Sequence, residues 1–215
     1  MGLFDVFKKA KGPYKDDSTN RIYELLFCDY DLYKSNSPSL DGYPWNVLFS
    51  TEYDVNDINN IIANNAVEPR VKLLAYKAIE ANGGIINDTE LLAVIVEVAL
   101  EDGLDVLASF KDGTARYINQ SGKILVWEND DNISNVLTKQ LFEKSSDIIK
   151  QIGPWDEARK PYPQKGMLRI SFLVSNKLYF GEGPIDVLFN DGLAGPALLA
   201  ATNLMKYITE KALQQ

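Results

Sequence analysis

Residues 104–128, LDVLASFKDGTARYINQSGKILVWE, set Asp112-Gly113 and Ser121-Gly122 between short runs rich in Val, Ile, Tyr, Phe and Trp. A three-residue hairpin loop needs a left-handed residue near its end, and glycine takes that conformation without a Cβ clash. The stretch therefore reads as an antiparallel meander. Just before it, LLAVIVEVAL (91–100) has a length that suits helix or strand. Its Val and Ile content and the following Asp102-Gly103 favour a strand. Paired with the meander it gives four antiparallel strands. Val106, Phe110 and Tyr117 are expected on one face, with Leu107, Ile118, Leu125 and Trp127 on the other. A sheet apolar on both sides requires cover on both sides or a partner.

Helices are expected around this sheet. Asp54 can cap a short helix carrying Ile58, Ile61 and Ile62. Pro69 suits the first turn of the next, whose stripe of Val71, Leu74, Ala75, Ala78 and Ile79 stops at Gly83-Gly84. Asp130 or Asp131 caps a helix running to about Gln151, with Ile133, Leu137, Leu141 and Ile148 as its seam. Leu168, Ile170, Phe172 and Val174 alternate as a strand, and Lys177 to Glu182 returns beside it. Pro184 to Asp191 fits no single pattern. Pro196 opens a C-terminal helix with Leu198, Ala201, Met205, Ile208 and Ala212 at three-four spacing. The fold class is α+β: a β-meander and a later hairpin in an antiparallel sheet, packed with helices, after a helical N-terminal third. The chain divides into a basic amphipathic segment (1–15), a mainly helical layer (16–85) and an α+β sheet region (86–215). The last two are compatible with one continuous domain.

The 215 residues contain no histidine and one cysteine, Cys28. That removes Ser-His-Asp and Cys-His catalysis, imidazole metal sites, thiolate zinc clusters and internal disulfides. Cys28 lies among Leu and Phe with nothing nearby to activate it, so a buried structural thiol is expected. No cofactor motif is present. No apolar run reaches the roughly 20 residues of a membrane-spanning helix. The opening MGLFDVFKKAKG lacks the apolar core of a secretory signal, and Val6 and Phe7 stand where a myristoylation site carries Ser or Thr. A cytoplasmic location is the expectation. Leu3, Phe4 and Phe7 beside Lys8, Lys9 and Lys11 offer a weak peripheral membrane contact through residues 2–11, with docking on the protein's own body as the alternative. Net charge is −8, concentrated before residue 136: −6 over 16–85 and −7 over 86–135, against +2 beyond. Phosphate backbones should repel such a chain, so no nucleic acid is expected; a basic protein partner suits it better.

Two groups of residues carry candidate sites. The aromatic-proline loops hold Tyr43, Trp45, Trp155, Arg159 and Tyr162, and Trp, Tyr and Arg are the residue types that anchor protein interfaces. Their bland alternative is that the indoles fold back and pin the loops. The carboxylates Glu97, Glu101, Asp102 and Asp105 lie where strand ends and turns gather, and together they offer oxygen ligands to a divalent ion or an acid–base pair. Without EF-hand spacing, a solvated cluster is the competing reading. Gly192–Pro196 and the FGEGP run around Glu182 read as a helix cap and a tight turn.

The segment EDGLDVLASFKDGTARYINQSGKILVWE (101–128) resembles stretches of uncharacterised bacterial proteins through its three turn signals. That resemblance implies no activity and no site residues. The leading expectation is a non-enzymatic cytoplasmic protein that binds another protein, an accessory or immunity-like role by analogy of size and charge. The alternatives are a carboxylate-based metal-dependent hydrolase and a small-molecule sensor with an apolar ligand between the sheet and the C-terminal helix. A homo-oligomer is compatible with each.

Overall fold

The structure is a computed structural model describing residues 12–36, 42–128, 131–175 and 177–214. The amphipathic segment 2–11, part of the 35–45 loop and the alternative cap Asp130 lie outside the described residues. Five helices come first: α1 (Asp17–Leu25), α2 (Tyr30–Asn36), α3 (Trp45–Leu48), α4 (Val55–Ala63) and α5 (Pro69–Ala81). Strands β1 (Leu91–Ala99), β2 (Leu104–Phe110), β3 (Ala115–Ile118) and β4 (Ile124–Trp127) follow, then α6 (Asn132–Ile149). The hairpin β5 (Met167–Val174) and β6 (Lys177–Pro184), α7 (Ile185–Asn190) and α8 (Ala194–Ala212) complete the chain. This is the expected α+β class. The run 184–191 that fits no single sequence pattern is mostly α7.

The six strands form one antiparallel sheet in the order β4-β3-β2-β1-β5-β6. Both meander turns use glycine as the sequence requires: Gly113 has φ +90° and Gly122 φ +85°. Asn119 tightens the second turn, its Oδ1 accepting from the backbone N–H groups of Ser121 and Lys123 at 3.0 Å each. The helices begin where short acidic side chains satisfy free N–H groups. Asp16 accepts from Thr19, Asp54 from Asn56, and Asp131 from both Ile133 and Ser134.

Both faces of the sheet are covered. On one side Ala93, Ile95, Val106, Phe110 and Ile118 pack against α1, α4 and α5 through Tyr23, Ile58, Ile61 and Leu74. On the other, Val94, Val96, Leu107, Ile170 and Phe172 pack against Leu141 of α6 and Leu198, Leu204 and Ile208 of α8. One pair of expectations is exchanged. Tyr117 stands opposite Leu107 and shares the α6/α8 face, whereas Ile118 stands opposite Val106 on the α1/α5 face. Directly opposed residues share a face, so the length of the 111–114 turn, not alternation within β3 alone, decides the assignment.

Two glycines in neighbouring turns separate strain from overlap. Gly122 has a left-handed φ, yet a methyl group there would meet no outside atom closer than 3.7 Å. A Cβ on Gly103 would instead overlap the backbone carbonyl of Gln120. Gly122→Ala is expected to cost about 1 kcal/mol from backbone strain alone. Gly103→Ala is expected to cost more, about 2–3 kcal/mol, because two turns must move apart. Urea unfolding of the two variants checks the order.

Candidate functional site

Strand β1 carries a single charge, Glu97, and it is fully buried. The register sets it opposite Arg169 of β5, which in turn stands opposite Glu182 of β6. Three charges thus cross three adjacent strands on the α1 face. Tyr23 of α1 donates its hydroxyl to Glu97 Oε1 at 2.6 Å. Arg169 Nη1 lies 3.7 Å from Glu97 Oε2, while its Nε donates to Glu182 at 2.6 Å. Burial holds the Glu97 carboxyl above its ordinary value, against the lowering pull of Tyr23, Arg169 and Arg159.

The same guanidinium organises the loop outside the sheet. Arg169 donates to the backbone carbonyls of Lys160 (3.2 Å) and Pro161 (2.6 Å). Upstream, the Trp155 backbone N–H donates to the Leu178 carbonyl at 2.7 Å, so the loop is bridged to the start of the outer edge of β6. The Trp155 indole meets Phe180 edge-on at 5.1 Å and donates to the Ala158 carbonyl. Arg159 lies 3.9 Å over the Phe27 ring and pairs with Glu24 of α1. Loop and helices therefore face each other across a gap.

That gap is a cleft of about 560 Å³. Glu24, Phe27, Asp29, Lys77 and Glu80 form the helical wall; Trp155, Asp156, Glu157 and Arg159 form the loop wall; Leu173, Ser175, Lys177 and Leu178 of the β5–β6 hairpin underlie it. Five carboxylates meet three cations there. Lys77 is turned to structure: it donates to the carbonyls of Cys28 (2.6 Å) and Phe27 (3.3 Å), clamping the turn where Cys28 takes φ +54°. Its burial lowers its pKa. Lys177 sits 3.8 Å from both Glu80 and Asp156. Asp29 and Glu157 make no ion pair among the described residues, so the cleft keeps a negative excess.

Trp155 and Arg159, named from the sequence, line this cleft; Tyr43, Trp45 and Tyr162 do not. Trp45 stacks between Tyr33 (6.3 Å) and Phe49 (5.8 Å), pinning a helical corner, while Tyr43 is exposed. The four carboxylates of the metal reading are not brought together. Glu97 faces α1, whereas Asp105, next to its pairing partner Val106, faces the opposite side and accepts from the Gln120 N–H. Glu101 pairs with Lys165 at 2.5 Å, and Asp102 is exposed in the turn. Among the described residues, no group of three or more acidic, His or Cys side chains is placed to hold a metal ion. Asp191 caps the start of α8 through the Leu193 and Ala194 N–H groups, in keeping with the cap expected from the glycine turn. Cys28 is fully buried, and burial pushes its thiol up to about 12. Lys77 and Glu80 are cleft residues that sequence reasoning misses. Their signal is present all the same: with Leu73 they stand at i, i+4 and i+7 on α5, where an apolar stripe turns charged.

Removing one member of a buried charge set leaves the others uncompensated. Arg169→Met is expected to destabilise by about 3–5 kcal/mol, and adding Glu97→Gln is expected to recover part of that loss. The folded state holds the Glu97 proton to higher pH than the unfolded chain does. Glu97 therefore favours folding at low pH, and its contribution declines as pH rises above the ordinary glutamate range. Stability of Glu97→Gln measured against pH should lack that decline; an identical slope in both proteins would refute the assignment.

Compared with protein-family models, with curated proteins and with solved structures, the chain has no match.

Proposed function

We propose that this chain is a non-enzymatic protein-binding protein, and that the cleft between α1, α5 and the 153–161 loop receives a basic segment of another protein. The observation that carries this reading is the excess of carboxylates around a cleft of about 560 Å³ with Phe27 and Trp155 in its walls. That volume is in the range of pockets that enclose a compact group. A Lys or Arg side chain entering it meets Asp29 and Glu157, the two carboxylates without an ion pair among the described residues. The aliphatic part of such a side chain can lie on Leu32 and Leu178. Complementary charge would speed encounter and select against acidic partners more than it would add affinity.

A second reading has its own observation. Between the sheet and α8 runs an apolar groove of about 170 Å³, lined by Val96, Val98, Leu107, Phe189, Leu198 and Met205. It lies where an apolar ligand of a small-molecule sensor is expected from the sequence, and it is about the size of a cavity that holds benzene.

Fluorescence anisotropy with paired sets of Lys/Arg-rich and Asp/Glu-rich peptides tests the cleft reading. Basic peptides are expected to bind, to weaken as salt rises, and to lose about tenfold in affinity with Asp29→Lys plus Glu157→Lys. Equal binding of both sets, or no effect of the double variant, would overturn the cleft reading.

A further inference from the structure

The two edges of the sheet are treated differently. The outer side of β6 is bridged at Leu178 by Trp155. The outer side of β4 has no paired strand among the described residues. An open edge presents a row of backbone donors and acceptors, and proteins usually blunt it by keeping it very short or with charge, proline, a bulge or a covering element. β4 is short, at four residues, but its sequence Ile-Leu-Val-Trp carries no charge, proline or bulge. Ile124 and Val126 are 38% and 58% exposed.

The hydrogen-bond parity of this edge follows from its first turn. Lys123 points both its backbone groups at that turn, since its carbonyl accepts from the Asn119 N–H and its N–H donates to Asn119 Oδ1. Backbone direction alternates along an antiparallel strand. Leu125 and Trp127 are therefore bonded to β3, and the N–H and C=O of Ile124 and Val126 point outward. The two residues with outward backbone groups are the two whose side chains are exposed.

We infer that β4 is the contact through which two copies of this chain pair, antiparallel and edge to edge, into a single twelve-stranded sheet. A two-fold axis normal to the sheet keeps each face continuous and places Leu125 opposite itself. Ile124 of one copy then stands opposite Val126 of the other, twice. Each such pair exchanges two backbone hydrogen bonds, four in total, and covers two exposed apolar side chains with each other. Charge agrees with this direction. Lys123 and Glu128 flank the strand at opposite ends, so antiparallel pairing keeps the two lysines apart, whereas parallel pairing would set them side by side; Glu128 itself is engaged by Arg116 Nη2 at 2.5 Å. A four-residue edge buries less than the roughly 1,200 Å² at the lower bound of a stable interface, so the dimer is weak and depends on concentration.

Sedimentation of the full-length protein across a concentration series tests this. The wild-type chain is expected to pass from monomer to dimer as concentration rises. Val126→Pro deletes only an outward N–H, which an edge strand tolerates, and should remain monomeric with unchanged circular dichroism. Should that variant fold poorly, Val126→Lys replaces it, with Ile133→Lys on α6 as a control that pairs like wild type. Thiol crosslinking reads the register directly, because the native Cys28 is buried. An added oxidant should link two copies of a Leu125→Cys variant and leave an Ile124→Cys variant unlinked, since only position 125 meets itself across the axis. A wild-type monomer at every concentration, a Val126→Pro protein that still dimerises, or crosslinking at 124 and not at 125 would overturn the inference.

Discussion

Glu97 has to be neutralised inside a strand that is dry on both faces, and much of the molecule follows from that. A carboxylate at the centre of the sheet is tolerable only with partners of good geometry. Tyr23 supplies a hydrogen bond to Oε1, which ties α1 to β1; Arg169, opposite Glu97 in the β1–β5 register, supplies only an ion pair at 3.7 Å, and Oε2 accepts no hydrogen bond from the described residues. Arg169 has further donors, and it directs them to the carbonyls of Lys160 and Pro161. The loop carrying Trp155 and Arg159 is thereby tied to the buried charge. A residue with no access to solvent sets one wall of the cleft that faces it.

This linkage explains why a loop with two prolines and few apolar residues is held in place. Its own packing is slight: Trp155 rests on Phe180, and Arg159 rests on Phe27. The backbone bridge to Leu178, the guanidinium of Arg169 and the ion pairs of Arg159 with Glu24 and of Asp156 with Lys177 supply the rest. Buried ionic groups add little net stability against an apolar replacement, yet they specify one arrangement among several. Here the specified arrangement is the separation of loop from helices.

The legible parts of the fold are local. Gly113 and Gly122 announce two turns because only a residue free to take positive φ fits there, and both take it. Asp54 and Asp131 announce helix starts because a short carboxylate before an apolar stripe has N–H groups to receive. The apolar run 91–100 is legible as a buried strand, and a charge in the middle of such a run must be buried with it. Glu97 therefore belongs to the core, not to an acidic cluster at a strand end. Arg169 in MLRISFLV and Glu182 in the return strand carry the same signal. Their meeting is illegible because β1 pairs with β5 across some seventy residues, and no local pattern encodes that register. The face of Tyr117 departs from simple alternation for a related reason, since pairing across a turn decides it. The cleft is half legible: two of its aromatic and basic residues stand out, whereas Lys77 and Glu80 look like the solvated side of α5.

The proposed edge pairing and the proposed binding cleft occupy opposite ends of the strand order, and this separation would give such a dimer a consequence the monomer lacks. The cleft lies beside β6 and the open edge is β4, with the whole sheet between them. Joining two sheets through β4 leaves both clefts at the far ends of a twelve-stranded sheet, roughly 50 Å apart at the usual strand spacing. The union would touch neither cleft, so affinity for a single basic segment, as proposed, would stay the same. A partner carrying two such segments, or itself a dimer, gains the effective concentration of the second site once the first is filled. The gain depends on whether the partner can span that distance, and it vanishes when it cannot. A weak dimer is then enough, because a bivalent partner stabilises by mass action the assembly that binds it.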